Sequence, residues 1–127
     1  MKLLLDSHIL MWLASADAAL GADARDAIFD DGNRAVVSVA SVWELGIKRA
    51  KGLLQTPDDL GARLNAADFQ LLDVRLDHVV RAAELPHHHG DPFDRMLVAQ
   101  AQSEGAVLVT GDEALGAYDV PIMRARA

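Results

Sequence analysis

The 127-residue sequence contains no cysteine. That excludes disulfide staples, thiolate metal ligands and cysteine nucleophiles, and it suits a reducing cytoplasm. Long apolar runs are missing as well. Nothing approaches the roughly twenty consecutive apolar residues a bilayer span needs, so no membrane association is expected. Only three leucines separate Lys2 from Asp6, too few for an export signal. Positive charge is scarce: 12 Lys and Arg face 19 Asp and Glu, giving a net charge of −7. A domain that grips nucleic acid mainly by neutralising phosphates is usually basic, so this balance counts against that mode of binding. None of the patterns GxxxxGK[ST], GxGxxG or GxSxG occurs, which leaves P-loop hydrolysis, dinucleotide binding and serine-esterase chemistry unsupported.

What is present is a chain that is 51% hydrophobic, enough for one real core, with no internal repeat, low-complexity segment or linker. A single soluble domain over residues 1–127 is expected. Residues 2–5 read as a short apolar strand feeding a helix over 7–14, packed by Ile9, Leu10, Trp12 and Leu13. A second helix is expected over 18–30, closed by Asp31-Gly32-Asn33. Residues 34–37 are short and β-branched and read as a strand. Helices follow over 39–51 and over 57–67, the latter with Pro57 in its first turn, then a strand over 69–74. A helix over 76–85 stops at Pro86. After the loop 87–90 comes a helix over 92–104 with Gly105 beyond its end, a buried strand over 106–110, a short helical turn over 113–116 and a last strand near Pro121 and Ile122. This alternation predicts an α/β fold with a parallel sheet covered on both faces.

Four acids stand out: Asp6 in KLLLDSH, Glu44 in SVWELGIK, Asp94 in DPFDRMLVAQA and Asp112 in LVTGDEAL. Three of them fall where a strand gives way to a helix or a helix begins, the positions at which an α/β fold gathers ligands beyond its strand ends. Carboxylates forced together repel and take up protons unless a hard cation neutralises them, so the pattern points to a metal site. Such a site also accounts for surplus negative charge, since each divalent ion returns two positive charges.

Each acid has an ordinary structural reading too. Asp6 and Asp112 can cap the helices they precede, and Asp91 with Pro92 at the first helical position is well explained by capping. On a helical wheel Glu44 lies away from the apolar stripe of Val39, Trp43, Gly46 and Ala50. Periodicity points it outward, toward Lys48 or a capping box with Ser41. Trp12 and Trp43 read as core side chains rather than base-stacking surfaces. Lys48, Arg49 and Lys51 complement the end of their helix. His87, His88 and His89 cannot all face one ion, so they read as a loop bordering the cleft rather than a zinc site.

Together these residues resemble the PIN-domain nucleases, and among them the VapC-type toxins of bacterial toxin–antitoxin pairs. The likeness runs end to end. In that family an Asp closes the first strand, a Glu sits in the helix after the second, an Asp opens a late helix and an Asp or Asn follows the next strand; Asp6, Glu44, Asp94 and Asp112 fill those positions. Asp91, three residues before Asp94, is the other candidate for the third.

The resemblance implies a three-layer α/β/α fold with a central, mostly parallel sheet. It also implies a metal-dependent endoribonuclease with Mg²⁺ or Mn²⁺ held by Asp6, Glu44, Asp94 and Asp112. In the roles proposed, Asp6 and Asp94 lie closest to the ion, Asp112 assists, Glu44 orients or deprotonates the water, Ser7 and Thr110 donate from behind, and Arg95 meets phosphate. A homodimer is implied too, silenced by a small antitoxin whose segment enters the acidic cleft. Two other classes are a receiver-type Mg²⁺ module using Asp6, Asp73 and Thr110, and a catalytically silent interaction domain.

Overall fold

The computed structural model describes residues 1–55, 59–66 and 69–127. Five strands, β1 (Lys2–Leu5), β2 (Arg34–Ser38), β3 (Gln70–Leu72), β4 (Val107–Thr110) and β5 (Ile122–Arg124), form one sheet in the order β3-β2-β1-β4-β5. All four pairings are parallel. The helices are α1 (Ser7–Ser15), α2 (Ala22–Phe29), α3 (Val39–Ala50), α4 (Leu60–Ala66), α5 (Leu76–Glu84) and α6 (Pro92–Glu104), with a 3-10 turn at Glu113–Ala117.

Strand β1 is central, and its leucines show why. Leu3 and Leu5 pack on one face with Ile9, Leu10, Ala24, Ile28, Val37 and Val109, under α1 and α2. Leu4 packs on the other with Val36, Leu108, Leu97 and Val98, under α6. A strand buried on both faces must be apolar without alternation, and three consecutive leucines satisfy that. Each contributes about 1.5–3 kcal/mol by leaving water. The result is a three-layer α/β/α arrangement, as expected from the alternation of elements.

The chain leaves β1 toward β2 on one side and reaches β4 on the other. The carboxyl ends of β1, β2 and β4 therefore border one crevice, where the strand order changes direction. Asp6 follows β1, α3 follows β2 and Gly111-Asp112 follow β4.

Several expected boundaries shift. Helix α2 begins four residues late because Asp17 turns the chain first, accepting from the Ala19 N–H at 2.9 Å, while the Gly21 N–H donates to Ala125 O at 2.7 Å. Strand β3 covers only the middle of 69–74. Helix α4 covers part of the predicted 57–67, and Pro57 and Ala67 lie outside the described residues. Gly105 ends α6 with φ 62°, a left-handed cap that glycine adopts without strain. No helix among the described residues is long and apolar enough to cross a membrane.

The larger correction concerns the face of α3. The buried positions are Ala40, Ser41, Glu44 and Leu45, and Trp43 is 66% exposed, edge-on to Phe93 at 5.4 Å. The wheel took the Val39–Trp43 stripe for the core side. That stripe instead lines a surface groove with Ile47, Val74, Val79 and Phe93, so the helix is rotated relative to the expectation and Glu44 turns inward. Trp12 is partly buried against the core, as expected.

Candidate active site

Asp6 caps α1: its Oδ1 accepts the Ile9 N–H at 3.2 Å. Its Oδ2 accepts from the Thr110 hydroxyl at 2.5 Å, and the Thr110 oxygen accepts the Asp112 N–H at 3.0 Å. Asp112 repeats the division of labour. Its Oδ1 caps the 3-10 turn through the Ala114 N–H at 3.0 Å, and its Oδ2 lies 3.0 Å from His89 Nε2. In both residues the cap uses one oxygen, and the other meets a second partner, Thr110 for Asp6 and His89 for Asp112.

Asp91 and Asp94 part company. Asp91 caps α6 through one oxygen, Oδ1 accepting from the Phe93 and Asp94 N–H groups at 2.8 and 3.2 Å. Asp94 Oδ2 lies 3.5 Å from His89 Nε2. One ligand atom each from His89, Asp94 and Asp112 falls within 4.8 Å of the others.

His89 is the residue sequence reasoning did not single out, having placed the triplet only beside the cleft. Its Nδ1 accepts the Asp91 N–H at 3.1 Å. The neutral ring then carries its proton on Nε2, which points at the two carboxylates. Tyr118 Oη fixes the same loop by accepting the His89 N–H at 3.0 Å. The only sequence signal available was the His-x-Asp spacing ahead of the capped helix.

Asp6 and Glu44 stand outside the cluster of His89, Asp94 and Asp112, and their charges bear on Asp94 only as smaller contributions. Burial pushes the Asp94 carboxyl up to about 7, and the neighbouring charges of Asp91, Glu44 and Asp6 add to the rise while His89 opposes it. Burial also raises Asp6, against the lowering effect of its bonds from Thr110 and Ile9. Glu44 is only 4% exposed. Its Oε2 pairs with Lys48 at 3.0 Å, but among the described residues the buried Oε1 has no hydrogen-bond partner, and neither has the Ser41 hydroxyl one turn back. The capping box expected of Ser41 and Glu44 does not form, because Ser38 caps α3 through the Ala40 N–H at 3.1 Å. An orphaned carboxylate oxygen in the interior costs several kcal/mol unless something positive meets it. The carboxylate oxygens of Asp94 and Asp112, with this orphan in the interior, fit a hard divalent cation, and the His89 nitrogen is the one softer donor among them.

Two expectations fail. Arg95 does not meet the cleft: its guanidinium donates to Ala82, Leu85 and Pro86 carbonyls at 2.9–3.0 Å, tying the end of α5 to α6. Ser7 is buried at the start of α1, yet among the described residues Thr110 is the one of the two hydroxyls that reaches an acid. The receiver arrangement also finds no support, since Asp73 follows edge strand β3, is exposed, and is separated from β1 by β2.

An acidic cluster at the switch point of a parallel sheet defines a class of α/β domain that gathers carboxylates beyond its strand ends. A family profile described as the PIN domain matches residues 3–121, and the chain belongs to that family. No curated protein matches the sequence. Similar solved structures include VapBC2 from Rickettsia felis bound to a DNA fragment from its promoter, with a TM-score of 0.74 and 15% identity, covering 97% of this chain and 98% of that one. VapBC-1 from nontypeable Haemophilus influenzae has a TM-score of 0.66 and 21% identity, covering 97% of each chain. VapBC-5 from Mycobacterium tuberculosis, described as a member of the VapBC family of toxin–antitoxin systems, has a TM-score of 0.59 and 22% identity, covering 99% and 98%. At these identities the likeness speaks for the fold.

Proposed function

We propose that this chain is one PIN domain over residues 1–127, a cytoplasmic, divalent-metal-dependent endoribonuclease and the VapC-type toxin of a toxin–antitoxin pair. The observation that carries the reading is the environment of Asp94. Its carboxyl is raised to about 7 by burial and then by the charges of Asp91, Glu44 and Asp6, it lies with His89 and Asp112 in one cluster, and a buried Glu44 oxygen has no partner among the described residues. Such a cluster is costly alone and favourable around a cation.

Asp6, Glu44, Asp94 and Asp112 would hold Mg²⁺ or Mn²⁺. The ion supplies relief of charge on the phosphodiester and a more acidic water. Thr110 fixes the orientation of Asp6, and Glu44 orients the attacking water. The His89 ring, with Nε2 3.5 Å from Asp94 and 3.0 Å from Asp112, would hold the two carboxylates together.

Two surface features support the expected partners. A groove of about 730 Å³ lined by Val39, Trp43, Ile47, Val79, Phe93 and Met96 favours a homodimer. A second of about 250 Å³, lined by Leu10, Leu13, Phe29, Leu60, Leu64 and Phe69, suits an apolar antitoxin segment.

The test uses purified protein and mixed RNA with Mg²⁺ or Mn²⁺ against chelator, with the ends mapped. Sequence-selective cuts should vanish with chelator and with Asp94→Asn. Intact RNA after incubation with folded wild-type protein and either ion would end the proposal.

A further inference from the structure

Arg95 is bound to carbonyls, and Lys48 is held by Glu44, itself one of the four acids. An acidic cleft that accepts a polyanion still needs positive charge at its rim, because carboxylates alone repel the strand on either side of the scissile bond. One arginine at that rim is held ready. Arg126 donates from Nε to Gly111 O at 3.2 Å, and its guanidinium carbon lies 5.2 Å from the Trp12 ring centroid. Gly111 sits between Thr110 and Asp112, so this side chain is anchored one residue from two members of the acid site.

The packing is close. A Cβ on Gly111 would come within 2.9 Å of Trp12 Cη2 and 3.3 Å of Arg126 Nε, so the glycine allows ring, backbone and guanidinium to stack.

The backbone carrying Arg126 is pinned from both sides. The buried Ala125 donates its N–H to Thr110 O at 3.0 Å and accepts from the Gly21 N–H at 2.7 Å, and the Ala127 N–H donates to Ala19 O at 2.9 Å. Leu20 and Arg126 form an antiparallel bridge. Alternation along this extended segment buries Ala125 and turns Arg126 out into a cavity of about 550 Å³. Thr110, Gly111, Asp112 and Arg124 line the same cavity. Arg124 is paired with Glu113, whereas no described carboxylate pairs with Arg126. Its two terminal nitrogens form a fork suited to phosphate oxygens, and stacking on Trp12 lowers the entropy lost when they engage.

We propose that Arg126, stacked on Trp12 over Gly111, is a backbone-phosphate subsite for single-stranded RNA next to the scissile bond. The inference rests on the ribonuclease reading and adds to it the direction in which the strand leaves the acids, across the Gly111 carbonyl toward Trp12. Arg126 binds substrate and takes no part in the bond-breaking step.

Arg126→Gln and Arg126→Lys test it against wild type, with Arg124→Gln for comparison, using a short single-stranded RNA that the wild type cuts. Arg126→Gln should raise KM roughly tenfold, the loss of one charge-assisted contact, with kcat within about twofold. The slope of log(kcat/KM) against log[salt] should flatten by about 0.7, the value for one phosphate on a single strand. Arg126→Lys should restore the salt slope and part of the KM, and Arg124→Gln should do little. Thermal melts guard against a folding defect, since a purely structural Arg126 would move Tm and leave the salt slope alone. An active wild type whose Arg126→Gln variant keeps its KM and salt slope overturns this subsite and leaves the nuclease standing. A wild type that cuts no RNA overturns both.

Discussion

The Thr110 hydroxyl donates to Asp6 across 104 residues of sequence, and the same oxygen accepts the Asp112 N–H. One side chain thus sets the spacing of the first and last acids. Thr110→Val keeps the shape and removes both bonds, leaving a buried carboxylate short of a donor and a backbone N–H short of an acceptor. The expected cost is about 1–3 kcal/mol of stability. Because the hydroxyl holds the Asp6 carboxyl down against burial, its loss should also raise that group further. Divalent-ion affinity should fall roughly 10–100-fold, the range for removing a partner that orients a ligand. Calorimetric titration with Mn²⁺ and urea unfolding read the two effects separately, and unchanged Mn²⁺ affinity would remove Thr110 from the site.

Asp94 gives the metal-free protein a particular pH dependence. Its folded-state value of about 7 lies above the ordinary 3.8, so the folded protein holds the proton more tightly across that interval. The stability this proton contributes is present below about pH 4 and is lost as pH rises through 7. Asp94→Asn removes the titration. In chelator the variant should therefore gain on wild type as pH rises from 4 to 8, the difference levelling off above 7. Added Mn²⁺ should reverse the order, raising the wild-type Tm more at pH 8 than at pH 5 and the variant's much less. Parallel melting curves at every pH would contradict the placement of Asp94 among like charges.

Much of the fold was legible because its signals are local and redundant. Three consecutive leucines, the Asp-Pro cap and Gly105 each mark one element, and the structure keeps all three features. Glu44 was not legible from its own helix. Periodicity reports which residues are apolar, not which face meets the core, and in α3 the apolar stripe of Val39 and Trp43 borders a surface groove while an acid faces in. His89 and Arg95 were opaque for a related reason. Their partners lie in the Asp112 turn and at the end of α5, and no spacing within one segment encodes a contact between loops. For Asp6 and Asp112 a cap does not exhaust the side chain, because a carboxylate has two oxygens and each residue caps with one.

Arg95 should behave as a structural residue despite its place beside Asp94. Four acceptors surround its guanidinium: Ala82, Leu85 and Pro86 carbonyls and, at 3.3 Å, the Tyr118 hydroxyl. Arg95→Ala leaves those carbonyls at the end of α5 without their donor. Stability should drop by about 2 kcal/mol, or several degrees in Tm. Cleavage per folded molecule, measured well below Tm, should stay within about twofold of wild type. A large fall in kcat/KM with Tm intact would instead return Arg95 to the substrate.

Trp43 tests the assembly. It is exposed, and it belongs to an apolar face that also shows Leu76 at 78% and Val79 and Val80 near half exposure. Scattered apolar residues on a surface are ordinary, but several contiguous ones around a groove mark a site that another surface covers. The ring leans on Phe93, in the first turn of α6 beside Asp94, so a partner copy docked there would bring two acid clefts near each other. A charge placed at Trp43 would have to lose its water against the partner's apolar groove, which costs several kcal/mol. Light scattering should accordingly show Trp43→Asp as a monomer where wild type is a dimer, with each folded chain keeping its Mn²⁺ affinity because the four acids lie within one chain. A Trp43→Asp protein that still elutes as a dimer would move the interface off this face.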